Sequence, residues 1–271
     1  MHIDLSGKVA IVTGGARGIG RGVAVALARE GVRTVVADIG EADLAALAGE
    51  FRACGWAGKQ LVCDVRDSAR IREVVAEVAG AYGRIDILVN NAGVAGGGPV
   101  DTLAEDRWNQ NVDVNLTGTF RMCKAVIPQM KAQRGGRILN AASFAAVIPG
   151  FGGAAYAASK AGVHYFTKVL AGELGPWDIT VNCYAPGMIP TDMNHFADLP
   201  PEQQETLLDS LSLRRWGREE EIAHLICFLA SDQASYITGA MIEISGGKFA
   251  IQRPRAAYDH YAREASDVSP V

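Results

Sequence analysis

Two polar side chains in the middle of the chain have the types and spacing that proton transfer to an oxygen atom requires. Tyr156 and Lys160 stand four residues apart in a segment with helical periodicity, so they share one face of the helix. A phenol with a pKa of about 10 is a poor base at neutral pH, and a neighbouring ammonium favours the phenolate. We therefore expect Lys160 to lower the pKa of Tyr156. Tyr156 would then remove a proton from an alcohol, or return it to a ketone oxygen.

Ser143 precedes Tyr156 by thirteen residues and stands at the end of a predicted strand. Open α/β sheets bind ligands at this edge, so its hydroxyl can hold a substrate oxygen while charge develops there. Each residue alone has an ordinary alternative explanation. Tyr156 and Lys160 could be a surface pair on an amphipathic helix, and Ser143 could be a turn residue. The functional interpretation depends on their occurrence in order with a nucleotide-binding pattern near the N-terminus.

That pattern is a glycine-rich segment with the composition of a phosphate-binding turn. Gly14, Gly18 and Gly20 follow the first predicted strand with the spacing GxxxGxG and lead into a helix. Glycine permits a tight turn and a close approach of the backbone to a pyrophosphate at the helix N-terminus. Glycines also end strands for purely structural reasons, but the position in the first strand–helix unit favours a dinucleotide site.

Asp38 ends the second predicted strand, eighteen residues after Gly20, which suits a carboxylate that binds the adenosine ribose hydroxyls. An aspartate here could instead cap a helix or a turn. Its charge would repel the 2′-phosphate of NADP, by about 4 kcal/mol at a separation of 4 Å and an effective dielectric near 20. Arg17 argues the other way, because a guanidinium can pair with that phosphate. We predict NAD as the cofactor, with NADP less favoured.

The elements that must position these residues alternate as short β-branched runs and longer helical patterns. This alternation predicts an α/β fold with a parallel sheet covered on both faces, and the continuous apolar runs agree with strands buried on both sides. Seven strands are predicted: Val9–Thr13, Thr34–Asp38, Gln60–Cys63, Ile85–Asn90, Arg137–Ala142, Ile179–Tyr184 and Ala240–Ile244. Helices are predicted near Gly18–Glu30, Glu41–Cys54, Ser68–Tyr82, Glu105–Gln133, Ala155–Leu174 and Glu219–Ser231.

Composition argues against several classes of protein. The 271 residues carry a net charge of −4, so no excess of positive charge exists for nucleic acid or an anionic membrane. With 49% hydrophobic and 21% charged residues, the chain can form a large core. The five cysteines are scattered without a CxxC pair, and the histidines lack metal-ligand spacing. We predict free thiols, no metal site and a cytoplasmic protein without a signal peptide or membrane span.

Several ordered motifs together resemble the short-chain dehydrogenases/reductases, over most of the chain. They are Thr13–Gly20 (TGGARGIG), Cys63–Val65 (CDV), Asn90–Gly93 (NNAG), Asn115, Ser143, Tyr156–Lys160 (YAASK) and Pro186–Gly187. The resemblance implies a single doubly wound Rossmann-like domain with a nicotinamide cofactor that interconverts a secondary alcohol and a ketone. It also implies that Asn115 joins Ser143, Tyr156 and Lys160 as a catalytic set and supports a water that links Lys160 to solvent. Asn115 could otherwise cap or kink its long helix.

The same resemblance implies which residues contact the cofactor. Asp64 is expected at the adenine, Asn90 and Gly93 beside the cofactor, and Ile189 and Thr191 at the nicotinamide carboxamide. A positively charged nicotinamide would add to the effect of Lys160 on Tyr156. The full expected set is Gly14, Arg17, Gly18, Ile19, Gly20, Asp38, Asp64, Val65, Asn91, Ala92, Gly93, Tyr156, Lys160, Pro186, Gly187, Ile189 and Thr191.

Two segments depart from the strand–helix alternation. Residues 187–213 form an insertion with a short predicted helix at Pro201–Leu211, and residues 248–271 form a C-terminal tail. We therefore assign residues 1–247, with the insertion, to the dehydrogenase domain. The aromatic residues of the tail predict that Phe249–Tyr261 docks near the insertion of its own or a neighbouring subunit, with residues 262–271 loose. The alternative is a frayed terminus without a role.

An oligomer is also expected. Ala157, Ala158, Ala161 and Gly162 are small residues that allow another helix to approach closely, and the resemblance implies association through this helix and the preceding one. We predict a homotetramer or a homodimer.

The predicted function is that of an NAD-dependent alcohol dehydrogenase or ketoreductase acting on a small molecule. A 3-oxoacyl thioester reductase is the alternative within the same family. It would need a basic patch for a phosphorylated carrier, for which Arg214, Arg215 and Arg218 are the available candidates. A nucleotide-sensing binding protein is the alternative from another class, but a sensor has no need of an activated phenol.

Overall fold

Seven parallel strands form one sheet with helices on both faces in the computed structural model, which describes residues 3–267. The strands are β1 (Val9–Thr13), β2 (Arg33–Asp38), β3 (Gly58–Val62), β4 (Ile87–Asn90), β5 (Gly136–Ala141), β6 (Ile179–Pro186) and β7 (Met241–Ile244). The helices are α1 (Gly18–Arg29), α2 (Glu41–Cys54), α3 (Ser68–Tyr82), α4 (Glu105–Asn111), α5 (Gly118–Gln133), α6 (Ala154–Leu174), α7 (Pro201–Leu208), α8 (Glu219–Ala230) and α9 (Arg255–Asp267). The single doubly wound α/β domain predicted from the sequence is confirmed.

The strand order is β3-β2-β1-β4-β5-β6-β7, so the progress of the chain across the sheet reverses between β1 and β4. Thr13 at the end of β1 pairs with Asn90 at the end of β4. The loops that follow these strands therefore leave the same edge of the sheet side by side. Such a reversal is where open α/β sheets bind ligands.

Each face of the sheet carries its own core, because alternate residues of a strand point to opposite faces. Val12 and Val36 are fully buried beneath α1, α2 and α8, whereas Ile11 and Val35 are fully buried beneath α3, α5 and α6. This two-sided burial is the reason for the continuous apolar runs in the sequence. Among residues 3–267, no helix is long and apolar enough to cross a membrane.

The predicted helix Glu105–Gln133 is helical over its whole length, but its middle is not α-helical. A π-helical segment, Val112–Thr117, separates α4 from α5. Asn115 lies fully buried in this segment, and its side chain pairs with both backbone groups of Val94. Nδ2 donates to the Val94 carbonyl oxygen at 3.0 Å, and Oδ1 accepts from the Val94 N–H at 2.8 Å. The π-helical turn therefore occurs where Asn115 contacts the loop after β4. The sequence did not predict it, because helical periodicity carries no information about contacts with a distant segment.

The insertion and the tail pack against each other. α7 ends three residues before its predicted end, and α9 in the tail has no counterpart in the sequence prediction. Arg255 of α9 pairs with Asp209 at 3.1 Å, and the Tyr258 hydroxyl donates to the Ser212 carbonyl oxygen at 2.8 Å. The tail therefore docks on the insertion of its own subunit. Residues 262–267, expected to be loose, belong to α9, and residues 268–271 lie outside the described residues.

Candidate active site

Tyr156, Ser143 and Lys160 meet at the carboxyl edge of the sheet. Tyr156 and Lys160 lie in the first two turns of α6, and Ser143 follows the end of β5. The Ser143 side chain lies close enough to the Tyr156 phenol to lower its pKa. Lys160 Nζ donates to the Ala141 carbonyl oxygen at 2.8 Å and lies 5.8 Å from the centre of the Tyr156 ring. A phenol, a hydroxyl and an ammonium are therefore gathered beside the end of β5.

The pKa of Tyr156 corrects one expectation from the sequence. Burial raises this pKa above its usual value, and the Ser143 side chain partly opposes the effect. Lys160 does not produce the expected lowering, because its ammonium binds the Ala141 carbonyl oxygen rather than the phenol oxygen. Burial also lowers the pKa of Lys160 to about 8, so its ammonium is still mostly protonated at pH 7. In the protein by itself, Tyr156 is a neutral phenol with a proton to donate.

Asn115 connects the π-helical segment to α6. Its Nδ2 donates to Ser159 Oγ at 2.9 Å, and the Ser159 hydroxyl donates to the Tyr156 carbonyl oxygen at 2.7 Å. Gly93 lies against the same group, since a Cβ there would come within 3.2 Å of Asn115 Oδ1 and 3.5 Å of Lys160 Nζ. Asn115 therefore lies in the distorted part of its helix and also holds the turn of α6 that carries Tyr156.

The glycine-rich segment joins the loops after β1 and β4. Gly14 has a φ of 60°, a backbone conformation that favours glycine, and a Cβ on it would come within 2.7 Å of Ala92 Cα. Asn91 Nδ2 donates to the Gly14 carbonyl oxygen at 2.9 Å, and Asn91 Oδ1 accepts from the Tyr184 hydroxyl at 3.2 Å. A Cβ on Gly20 would overlap both the Gly14 carbonyl oxygen and Asn91 Nδ2. The two loops and α1 therefore meet with no space for a side chain.

The N-terminus of α1 keeps its backbone donors available. Arg17 is the N-cap residue but makes no side-chain capping bond, and the first turn contains no acidic residue. Gly18 and Ile19 are the first residues of this turn and are both partly buried. Free N–H groups and the positive end of the helix dipole favour an anion here.

Asp38 is fixed beside the same loop by two backbone donors. Its Oδ2 accepts from the Ala16 N–H at 3.0 Å, and its Oδ1 accepts from the Gly40 N–H at 3.1 Å. A carboxylate has about four acceptor positions, so it can still accept hydrogen bonds from hydroxyl groups. Arg17 directly follows Ala16 in this loop, and its side chain is exposed to solvent.

Asp64, expected at the adenine, is held by Arg66. Arg66 Nη2 and Nε lie 2.6 Å and 3.0 Å from Asp64 Oδ2. These bonds lower the pKa of Asp64, so its carboxylate stays charged and is compensated by the guanidinium. Val65 is buried directly after it. An adenine contact through Asp64 would therefore share the carboxylate with Arg66.

The loop after β6 contains the residues expected at the nicotinamide. Gly187 follows Pro186 and donates its N–H to the Ile244 carbonyl oxygen at 3.0 Å. Asn194 shapes the loop, since its Oδ1 accepts from the Thr191 N–H at 3.1 Å and its Nδ2 donates to the Ile189 carbonyl oxygen at 2.8 Å. The Thr191 side chain lies beside Gly18 at the start of α1. This loop therefore folds back onto the glycine-rich segment.

Four residues organise this region although the sequence assigned them no role: Thr13, Ser159, Asn194 and Lys248. Thr13 Oγ1 accepts from the N–H groups of Asn91 and Ala92, both at 3.1 Å, and so joins β1 to the loop after β4. Thr13 and Ser159 lie inside the motifs Thr13–Gly20 and Tyr156–Lys160, so their positions beside assigned residues could have indicated a role in the site. Asn194 and Lys248 lie outside those motifs, and the sequence offers no signal for them.

The residues present fit a nicotinamide dinucleotide. The uncapped N-terminus of α1 suits a pyrophosphate, the Asp38 carboxylate suits ribose hydroxyls, and side chains at Gly14 and Gly20 would fill the cradle between them. Within residues 3–267, no group of His, Cys, Asp and Glu side chains is arranged to hold a metal ion.

Comparison with known proteins agrees with this geometry. The sequence profile of the short chain dehydrogenases matches residues 8–200. The chain is 43% identical to the 3-oxoacyl-(acyl-carrier-protein) reductase FabG of Thermotoga maritima over 243 residues, which are 90% of this chain and 98% of that protein. A putative gluconate dehydrogenase from Agrobacterium tumefaciens has a TM-score of 0.88 at 30% identity, and a putative short-chain alcohol dehydrogenase from Sinorhizobium meliloti has 0.86 at 36%. Each structural match covers 92% of this chain and 98% of the other.

Proposed function

This chain belongs to the short-chain dehydrogenase family, and from this premise we propose that it interconverts a secondary alcohol and a ketone with NAD(H) as its cofactor. It is an oxidoreductase of a family that binds a nicotinamide cofactor. The observation that carries the proposal is the meeting of Ser143, Tyr156 and Lys160 at the sheet edge that also carries the glycine-rich segment.

Tyr156 is the proposed general acid and base. Its neutral phenol donates a proton to a ketone oxygen during reduction and accepts the proton from the alcohol during oxidation. The Ser143 hydroxyl binds the same oxygen and stabilises the charge that develops on it. Lys160, mostly protonated at pH 7, donates to the Ala141 carbonyl oxygen beside the phenol, so in this proposal it positions the end of the strand that precedes Ser143 rather than lowering the pKa of Tyr156. A bound nicotinamide supplies or takes the hydride.

Asn115 has a positioning role in this proposal. Through Ser159 it holds the carbonyl group of Tyr156, and it also holds the loop that brings Gly93 against Lys160. The water that connects Lys160 to solvent in the related enzymes remains a prediction for this chain.

The proposal is tested by following the absorbance of reduced nicotinamide with NAD and with NADP against a panel of secondary alcohols and ketones. Turnover of at least one compound of the panel supports an enzyme. Cofactor binding without turnover on any compound would favour the nucleotide-sensing alternative.

A 3-oxoacyl thioester reductase is the second candidate, because a relative at 43% identity carries that name. Two of the three basic residues named for a phosphorylated carrier are paired with acidic residues, which weakens this candidate. Arg214 pairs with Asp209 and Glu205, and Arg215 pairs with Glu221 at 2.6 Å. Comparing kcat/KM for acetoacetyl coenzyme A with that for simple ketones decides between the two candidates, since a thioester reductase should strongly prefer the thioester.

Asp38 is proposed to select NAD over NADP. The parent protein should prefer NAD, and Asp38→Ser should weaken NAD binding while improving NADP, because a ribose contact and a charge repulsion are lost together. The ratio of kcat/KM values should shift toward NADP by about tenfold or more, since the repulsion is worth roughly 1–4 kcal/mol. Asp106→Ser, at an exposed carboxylate in the first turn of α4, is the matched control and should leave the ratio unchanged. Equal use of both cofactors by the parent would contradict the assignment.

We further propose that the protein is a homodimer or homotetramer. Gly162 packs inside the subunit, since a Cβ there would come within 2.8 Å of Leu116 Cδ2. Support comes instead from apolar side chains exposed on α5 and α6, among them Phe120 at 44%, Tyr165 at 67% and Val169 at 61%. Light scattering at micromolar concentration should give the mass of an oligomer, and Val169→Arg should lower it. Val100→Arg, in the exposed loop after β4, is the control, and a monomeric parent would refute the proposal.

The remaining proposals concern organisation and location. Residues 1–247, including the insertion 187–213, form the dehydrogenase domain, and residues 248–271 form the tail, in which α9 supports the insertion. The substrate is a small molecule. The five free cysteines favour the reducing cytoplasm.

A further inference from the structure

Lys248 lies between the candidate active site and the insertion, directly after Gly247. Its Nζ donates to Ser210 Oγ at 2.6 Å and lies 5.6 Å from the centre of the Phe144 ring. Phe144 is the residue after Ser143, and Ser210 belongs to the insertion. The ammonium is therefore close both to the strand end that carries Ser143 and to the segment that covers this edge of the sheet.

The positive charge of Lys248 is not compensated by the acidic residues around it. Within residues 3–267 its ammonium pairs with a hydroxyl and with no carboxylate, and burial alone lowers its pKa. Asp209 precedes Ser210, but its carboxylate is bound by Arg214 at 2.8 Å and by Arg255 at 3.1 Å. A half-buried cation without a counter-ion is costly unless a ligand supplies the opposite charge.

The backbone that carries this side chain is also held in place. The backbone N–H of Lys248 donates to Ser245 Oγ at 3.0 Å, and Ser212 Oγ donates to the Gly247 carbonyl oxygen at 3.2 Å. α9 supports the same stretch of the insertion, because Tyr258 binds the Ser212 carbonyl oxygen. A positioned cation binds an anion with less loss of side-chain entropy than a free surface lysine does.

We propose that Lys248 binds an anionic group of the substrate, and that the substrate is therefore a ketone or alcohol that carries a carboxylate. The proposal rests on the proposed function, because it assigns the part of the substrate that lies beyond the oxygen held by Ser143 and Tyr156. One ammonium matches the single charge of a carboxylate. A phosphate ester offers the same kind of charge, so the experiment includes both.

The test compares charged and neutral carbonyl compounds of similar size. Acetoacetate is compared with methyl acetoacetate, and dihydroxyacetone phosphate with dihydroxyacetone, using the full-length protein and reduced cofactor. The parent should prefer the charged member of the first pair. Lys248→Met keeps the length and apolar stem of the side chain but removes the charge. It should lower the preference for acetoacetate over its ester by about tenfold or more, mainly through KM, as expected for a lost charge-assisted hydrogen bond.

Lys131→Met is the matched control. Lys131 lies 3.7 Å from the centre of the Trp177 ring, so it is also a lysine over an aromatic ring, but it stands near the end of α5, at the opposite edge of the sheet. Its substitution should leave the preference unchanged. A change only in the preference for dihydroxyacetone phosphate would replace the carboxylate with a phosphate ester as the group bound.

The outcomes separate this inference from the proposed function. The inference is overturned if the parent reduces methyl acetoacetate and shows no preference for acetoacetate. It is also overturned if the preference remains in Lys248→Met. In both cases the proposed function stands. If none of the four compounds is reduced, the proposed function is not supported for these substrates. The anion site is then tested by the melting temperature of the protein with reduced cofactor, measured with and without acetoacetate. Stabilisation by acetoacetate in the parent and not in Lys248→Met supports the anion site, whereas no stabilisation of the parent overturns it.

Discussion

Tyr156→Phe is expected to lower kcat by about a hundredfold or more, which is the usual contribution of general acid–base catalysis. The change removes only the hydroxyl beside Ser143, while the aromatic ring and its packing remain. No other phenol takes its place, since the nearby Tyr184 hydroxyl is committed to Asn91. The measurements are kcat on any ketone that the parent reduces, cofactor affinity from the fluorescence of reduced nicotinamide, and the melting temperature. The last two should remain close to those of the parent.

Tyr236→Phe provides the control, because it removes the same atom from a fully exposed tyrosine that has no assigned role. Its kcat should equal that of the parent. If Tyr156→Phe retains activity within about tenfold of the parent, proton transfer does not depend on this residue and the mechanism proposed here is wrong.

Gly20→Ala should have the second large effect, this time on cofactor binding and stability. A methyl group on Gly20 would overlap both partners of the hydrogen bond between Asn91 Nδ2 and the Gly14 carbonyl oxygen. The backbone of the glycine-rich segment must shift to make room, which should destabilise the protein by about 1–3 kcal/mol. Because the same shift displaces the N-terminus of α1, the affinity for the cofactor should fall by about tenfold or more. Denaturant unfolding and fluorescence titration measure the two effects.

Gly80→Ala is the matched control, since Gly80 also lies in a helix and a Cβ there would meet nothing within 4 Å. This change should stabilise the protein by about 0.5–1 kcal/mol, because alanine is the better helix former, and should not alter cofactor affinity. Unchanged cofactor affinity in Gly20→Ala would show that the glycine-rich segment does not contribute to the cofactor site.

The order of the elements could be predicted because it depends on local patterns. The continuous apolar strands and the helical periodicity between them follow from burial on two faces, and their bounds in the structure differ from the predicted strands by two residues at most. The spacing of Tyr156 and Lys160 on one helix, and the place of Ser143 at a strand end, are also local properties. They were sufficient to predict that these side chains lie near each other.

Only the tertiary structure decided the properties that depend on contacts between distant segments. The π-helical segment at Asn115 accompanies hydrogen bonds to Val94, twenty-one residues away. The direction of the pKa shift of Tyr156 depends on burial and on the binding of Lys160 to the Ala141 carbonyl oxygen, neither of which can be deduced from a spacing of four. Lys248 is one of seven lysines in the sequence. In the structure its ammonium binds the Ser210 hydroxyl, while the neighbouring Asp209 is bound by Arg214 and Arg255. Spacing determines which side chains share a face, whereas solvation and charge depend on everything that folds around them.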